Sequence, residues 1–155
     1  EYDSNKRIKE MMPALYALDP EFYKEMRIQE LAQGMHEVIS KHNLPELMYR
    51  AFETLPKMVM NPWSAWQKEI NGDIEEVYID EMIGRVNANM ILPYPPGVPL
   101  VMPGEMLTED NRPVLEFIQM LCEIDSHYPG FETDIHGAYR KADGRYTIKV
   151  LKNYH

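Results

Sequence analysis

The stretch from Leu92 to Glu105, LPYPPGVPLVMPGE, constrains the fold more than any other, because five of its fourteen residues are prolines and two are glycines. Proline fixes φ at roughly −65°, so most of the backbone here is set and only the two glycines bend freely. Such a segment cannot be helical. Prolines also withhold backbone donors, so a sheet can use it only at an edge or between short strand pieces. The expectation is a rigid, extended strap. Its apolar residues Val98, Leu100, Val101 and Met102 sit between the prolines, whereas a free linker would be polar. The strap should therefore be pressed against a core or a partner.

A length of 155 residues fits one domain, and a hydrophobic fraction of 45% suffices for an ordinary core. No apolar run is long enough to span a bilayer. The net charge is −9, from 25 acidic and 16 basic residues without a basic cluster, which argues against nucleic acid and for a soluble chain with no membrane partner. The one cysteine, Cys122, excludes an internal disulfide and fits a reducing cytoplasm. A start at Glu1, with no signal-like segment, suggests a piece of a longer polypeptide.

Residues 4–18 read as a short helix or a connector interrupted by Pro13. Asp19-Pro20 reads as a helix start, with the carboxylate as cap and proline in the first turn. The helix that follows should bury Ile28, Leu31, Met35, Val38 and Ile39 and expose Glu30, Gln33 and Glu37. Pro45 opens a second helix, with Leu47, Met48, Ala51, Phe52 and Leu55 inward. Asn61-Pro62 opens a third, carrying Trp63, Ala65, Trp66 and Ile70. Residues 74–79 and 86–92 read as strands. A long helix after Thr108 turns Val114, Leu115, Ile118, Leu121 and Cys122 to the core. Residues 135–140 and 145–151 form a hairpin whose turn uses Gly144. The class is α+β, with a helical N-terminal half packed on a small mixed β-sheet and a C-terminal hairpin.

GRVNANMI at 84–91, PYPPG at 93–97, PGE at 103–105 and YPGFETDIHG at 128–137 are long, specific motifs. With them the chain resembles the C-terminal domain of the bacterial pyridoxal-phosphate-dependent ornithine/lysine/arginine decarboxylases, the acid-inducible lysine branch above all. The likeness runs from Asp19 to Lys152 and departs at Asp125-Ser126, where small residues are usual. It implies that residues 1–18 connect to an upstream core and that 19–155 form the family's C-terminal domain. It also implies a cytoplasmic enzyme that removes CO2 from L-lysine to give cadaverine under acid stress.

The pyridoxal 5′-phosphate cofactor requires an imine-forming lysine and donors for its phosphate. The nine lysines lie on polar faces, at turns or in the hairpin, and none has the serine-x-histidine-lysine setting of the family. The resemblance therefore implies a catalytic lysine and cofactor cradle outside this chain, with no catalytic, cofactor-binding or metal residue within it. His127, Glu132, Asp134 and His136 could be drawn as a metal cluster, but their offsets favour loop packing. Glu105 reads as an acceptor of turn N–H groups or as a partner of Arg85 or Arg112.

Further implications come from the resemblance alone. The domain would help close a dimer and a decameric homo-oligomer. The domain would also shape the active-site entrance, with its structural strap, Pro93, Tyr94, Pro95, Pro96, Gly97, Pro103, Gly104 and Glu105, as the part nearest the subunit core. Arg7, and more weakly Arg27, would belong to a pocket for the stringent-response alarmone, a polyphosphorylated guanine nucleotide. Glu75, Glu76, Tyr78 and Tyr139 would be the docking surface for a hexameric AAA+ ATPase. Set apart from the family, the same strap and sheet edge could instead serve a free-standing protein-interaction module.

Overall fold

The computed structural model describes residues 3–94, 97–131 and 134–154; Pro95 and Pro96 of the strap, and Glu132, lie outside the described residues. Two short helices, α1 (Ile8–Met11) and α2 (Pro13–Leu18), precede α3 (Ile28–Lys41). The helix expected at Asp19-Pro20 is only a turn, in which the Asp19 carboxylate accepts the Phe22 N–H at 3.0 Å. Distant pairing overrides the local signal: Ile8 N–H donates to Met26 O at 2.9 Å and Ile28 N–H to Lys6 O at 3.1 Å. The backbone at 26–28 is thus held extended, and α3 starts only beyond it. The Glu30 carboxylate then accepts the Arg27 N–H at 2.7 Å and closes the first turn. Ile8, Leu15, Tyr23, Ile28 and Leu31 form a separate small core, in which the Tyr23 hydroxyl donates to Pro129 O at 2.6 Å.

Helix α4 (Leu44–Glu53) follows Asn43, whose φ of 47° reverses the chain. Leu47 and Ala51 are buried, but Phe52 and Leu55, expected inward, are exposed. The helix ends at Glu53 because Asn111 donates through Nδ2 to Thr54 O at 2.8 Å, and the extended Thr54 sends Leu55 outward. Next come β1 (Lys57–Met58), α5 (Pro62–Ile70) and β2 (Ile74–Tyr78), with Asn61 capping α5 by accepting Ser64 N–H at 2.9 Å.

The strap does not cross the molecule as an extended band. It doubles back: Ile91 bridges Val101, Val86 bridges Met106, and Gly104 N–H donates to Asn87 O at 2.8 Å. Gly97 and Gly104, at φ of 76° and 84°, supply the two bends that the prolines cannot. Leu100 and Val101 enter the core as expected, while Tyr94 and Val98 at the tip are exposed. Within this loop lie β3 (Leu92–Tyr94) and β4 (Glu105–Met106), which pair with β5 (Asp134–His136) and with β1 respectively.

The long helix α6 (Arg112–His127) is the centre of the main core, burying Val114, Leu115, Phe117, Ile118 and Leu121 against Leu47, Ala51, Val77, Ile148 and Val150. Each such side chain contributes roughly 1.5–3 kcal/mol on burial. The C-terminal hairpin is β6 (Ala138–Arg140) and β7 (Tyr146–Leu151), and β7 also pairs with β2 to give the order β2-β7-β6. All the strand pairings among the described residues are antiparallel. Gly137 separates β5 from β6 at a φ of 88°, so residues 134–140 serve two sheets rather than one hairpin arm.

Candidate functional site

The outward face of the β2-β7-β6 sheet is built by strand alternation. Val77 pairs with Ile148, and Ile148 with Ala138, on the core side. Glu76 opposite Lys149, with Tyr78 and Tyr139 both opposite Thr147, therefore share the other side. Three of the four docking candidates, Glu76, Tyr78 and Tyr139, are thus brought together. Glu75, one residue out of phase, points the other way and pairs with Arg85.

Each member of the face is held by a charge. Lys141 bonds to the Glu76 carboxylate and, as the first cause, lowers its pKa below the usual carboxylate range. The Arg145 guanidinium lies 3.4 Å from the Tyr78 ring centroid and pairs with Asp80 at 3.1 Å. Lys149 sits 5.4 Å from the Tyr139 ring centre and bonds to Glu69 at 3.1 Å. Asn89 donates to the Tyr139 hydroxyl at 3.3 Å. The result is two amphipathic rings set among fixed charges, a surface suited to recognition rather than bond chemistry. Sequence reading missed Lys141, Arg145 and Lys149, although the polar alternation of Thr147 and Lys149 along β7 carried the signal.

The two candidate arginines of the N-terminal segment, twenty residues apart, are antiparallel bridge partners, Arg7 opposite Arg27. Glu25 takes one side of Arg7, at 2.9 Å from Nη2.

In the strap, Pro93 is buried and Tyr94 exposed, its ring lying against Gly97. Gly104 anchors the loop, its O accepting N–H groups from Val59 at 2.9 Å and Met60 at 3.2 Å, with Pro103 half-buried beside it. The Glu105 carboxylate accepts the Met102 N–H at 2.7 Å, so this side chain closes a turn.

The lysines do not fit an imine-forming role, which needs a covered, neutral amine. Lys68, Lys141 and Lys149 are the half-buried ones. Lys149, whose ammonium is hydrogen-bonded by Glu69, has its pKa raised, which keeps it charged. A cleft of about 270 Å³ lies between α6 and the hairpin, lined by Ile79, Asp80, Cys122, Glu123 and Arg145 among others. Its charges are already matched, Asp80 by Arg145 and Glu123 by Lys41 and His42. Burial pushes the Cys122 thiol up to about 12, with Asp125 adding to the effect, so it is no nucleophile. Among the described residues no three His, Cys, Asp or Glu side chains are grouped to hold a metal ion. His136 and Asp134 are 3.6 Å apart, while His127 Nδ1 faces Glu123 O at 2.9 Å.

Residues 45–152 match the family model described as Orn/Lys/Arg decarboxylase, C-terminal domain, and the chain belongs to that family. It is 74% identical over 151 residues to the inducible lysine decarboxylase of Escherichia coli (strain K12), covering 97% of this chain and 21% of that protein. The structure of the E. coli constitutive lysine decarboxylase matches with a TM-score of 0.88 at 62% identity, over 96% of this chain and 21% of that one. Identity falls to 31% with the biodegradative arginine decarboxylase and 34% with the inducible ornithine decarboxylase of E. coli (strain K12). The chain spans about a fifth of the length of the curated relatives it matches.

Proposed function

We propose that this chain is the C-terminal domain of a lysine decarboxylase, an enzyme that converts L-lysine to cadaverine and CO2 in a bacterial cytoplasm under acid stress. The observation that carries the reading is the identity of 74%, 65% and 62% to three lysine decarboxylases, where a more distant lysine decarboxylase, of Pseudomonas aeruginosa, stands at 32% beside the arginine and ornithine enzymes at 31% and 34%. Among the described residues no helix is long and apolar enough to cross a membrane, in keeping with this reading. Pyridoxal phosphate supplies the electron sink of the reaction and is held by residues outside this chain. The chain's own contribution is recognition and shape.

Residues 1–18 then connect the domain to an upstream core, and residues 19–155 form the domain itself. The domain helps close the dimer, shapes the active-site entrance and supports assembly of dimers into a decamer, with the strap from Tyr94 to Glu105 nearest the subunit core. The sheet face with Glu76, Tyr78 and Tyr139 receives an AAA+ ATPase, with Glu75 beside it. Arg7 and Arg27 contribute to an alarmone pocket, a role supported by their pairing across one bridge. The test is the longer product of the same gene, assayed with lysine, arginine and ornithine. Cadaverine formation at a kcat/KM at least a hundredfold above the other two substrates supports the reading. A preference for arginine or ornithine refutes it.

A further inference from the structure

Helix α5 runs into a turn whose chemistry the decarboxylase reading does not use. Asn71 ends the helix at φ −76° and ψ −4°, and Gly72 follows at a φ of 79°. Asn71 is the only asparagine of the chain that precedes glycine. Both residues are exposed, and nothing lies within 4 Å of the position a Gly72 Cβ would take. The Asn71 side chain makes no hydrogen bond among the described residues. Other asparagines are engaged or crowded. Asn61, Asn87, Asn89 and Asn111 are held in side-chain hydrogen bonds. Asn5, Asn43 and Asn153 precede lysine, leucine and tyrosine, whose side chains crowd the following amide.

The hold on this turn is light. Ala65 is the one buried residue of α5, while Trp63, Trp66 and Ile70 are exposed, so no apolar anchor fixes the last turn of the helix. Helix ends open at low free-energy cost. For the Gly72 nitrogen to reach Asn71 Cγ, the peptide between them must rotate. The bonds directly at stake are Gly72 N–H to Glu69 O at 3.0 Å and Lys152 Nζ to Gly72 O at 3.4 Å, and both lie at the surface. Gly72 absorbs the rotation because glycine passes between positive and negative φ without a Cβ clash.

We propose that Asn71 is a site of spontaneous deamidation, with the Gly72 amide nitrogen as its nucleophile. That nitrogen gives its proton to solvent base and attacks Asn71 Cγ, a reaction between groups already joined in one chain. The new C–N bond closes a five-membered succinimide, and Cγ expels its amide nitrogen as ammonia. Water then adds to either ring carbonyl and opens the ring, leaving aspartate or isoaspartate at position 71. The sum is one water consumed and one ammonia released. Either product places a negative charge at the carboxyl end of α5, beside Asp73, where the helix dipole opposes it. Isoaspartate also lengthens the main chain by a methylene inside a bonded junction. There Asp73 N–H donates to Lys68 O at 2.9 Å and Lys152 N–H to Asp73 O at 3.0 Å, tying α5 to β2 and to the end of β7. The Asp143-Gly144 step is the natural comparison, because its carboxylate is occupied by Arg145 N–H at 3.0 Å and the Tyr78 hydroxyl at 3.4 Å.

The experiment ages the full-length product of the gene in warm buffer at pH 8 and follows every asparagine by peptide mapping, with isoaspartate read by methyltransferase labelling. Isoaspartate should accumulate at position 71, in excess of aspartate and faster as pH rises. Its rate should exceed deamidation at Asn153 and isomerisation at Asp143 by about tenfold or more. The folded protein should react within about tenfold of the rate in urea, since the turn opens readily. Asn71→Gln, which can close only a slower six-membered ring, should keep the circular dichroism spectrum and slow the loss of the side-chain amide about tenfold or more. Aspartate without isoaspartate would overturn the inference, because that product dispenses with the ring. So would a loss at Asn71 no faster than at Asn153. A folded rate more than about a hundredfold below that in urea would also overturn it, because the Gly72 N–H bond would then hold the turn shut.

Discussion

Replacing Gly104 by alanine tests how the strap is held. Two costs arise. At a φ of 84° a residue with a Cβ is strained by roughly 1–2 kcal/mol. The new methyl would also stand 2.3 Å from Met60 O, about an ångström inside ordinary contact. Relieving that overlap moves β4 from β1 and weakens the bonds from Val59 and Met60 to Gly104 O. These are worth about 0.5–1.5 kcal/mol each, beside an overpacking cost of about 1–3 kcal/mol. The expected loss is about 3–5 kcal/mol. Gly144→Ala is the internal control, because its φ of 82° carries the same strain but nothing lies within 4 Å of its Cβ position. It should lose about 1–2 kcal/mol. In urea, with an m-value of about 2 kcal/mol/M, the midpoints should drop by about 1.5–2.5 M and 0.5–1 M respectively. Equal losses for the two variants would refute the close approach of strap and β1.

Tyr23→Phe removes the buried hydroxyl bond to Pro129 O and leaves that carbonyl unpaired, so urea unfolding should show a loss of about 1–2 kcal/mol. Glu123→Gln should cost about 0.5–1 kcal/mol at pH 7, discounted for the partial exposure of the pair. The hydrogen bonds from His42, first, and Lys41 hold the Glu123 carboxyl below the usual carboxylate range. Its contribution is therefore full above about pH 4.5 and disappears as pH falls through the lowered folded value. The two unfolding curves should merge once the carboxyl is protonated in both states, and a difference that persists there would contradict the ion pair. Cys122, raised to about 12, should react with a thiol reagent at pH 8 about a thousandfold more slowly in the folded chain than in urea.

Much of this architecture is written in local signals. The Asn61 cap, the core stripe of α6 and the alternation of β7 are each fixed by neighbours in sequence, and the structure follows them. The start of α3 is not, because Met26 and Ile28 bond to Ile8 and Lys6, far back in the sequence. The strap is half legible: prolines excluded helix and apolar residues foretold burial, but which glycine would bend the chain back depends on Asn87 and Met60. Amphipathic periodicity located α5 correctly but could not say which side faces the core, since Ala65 is a weaker apolar signal than Trp63 or Trp66. At the proposed docking surface the residues were legible one by one. Their grouping required the register, which separates Glu75 from Glu76.

The central claim is that the reactive centre of the enzyme lies outside these 155 residues. Incubating the isolated chain and the full-length protein with pyridoxal phosphate, trapping with borohydride and mapping labelled peptides tests it most directly. Specific, stoichiometric label should appear only in the longer protein, on a lysine preceding this domain. Stoichiometric label on Lys149 or any other of the nine lysines here would contradict the account.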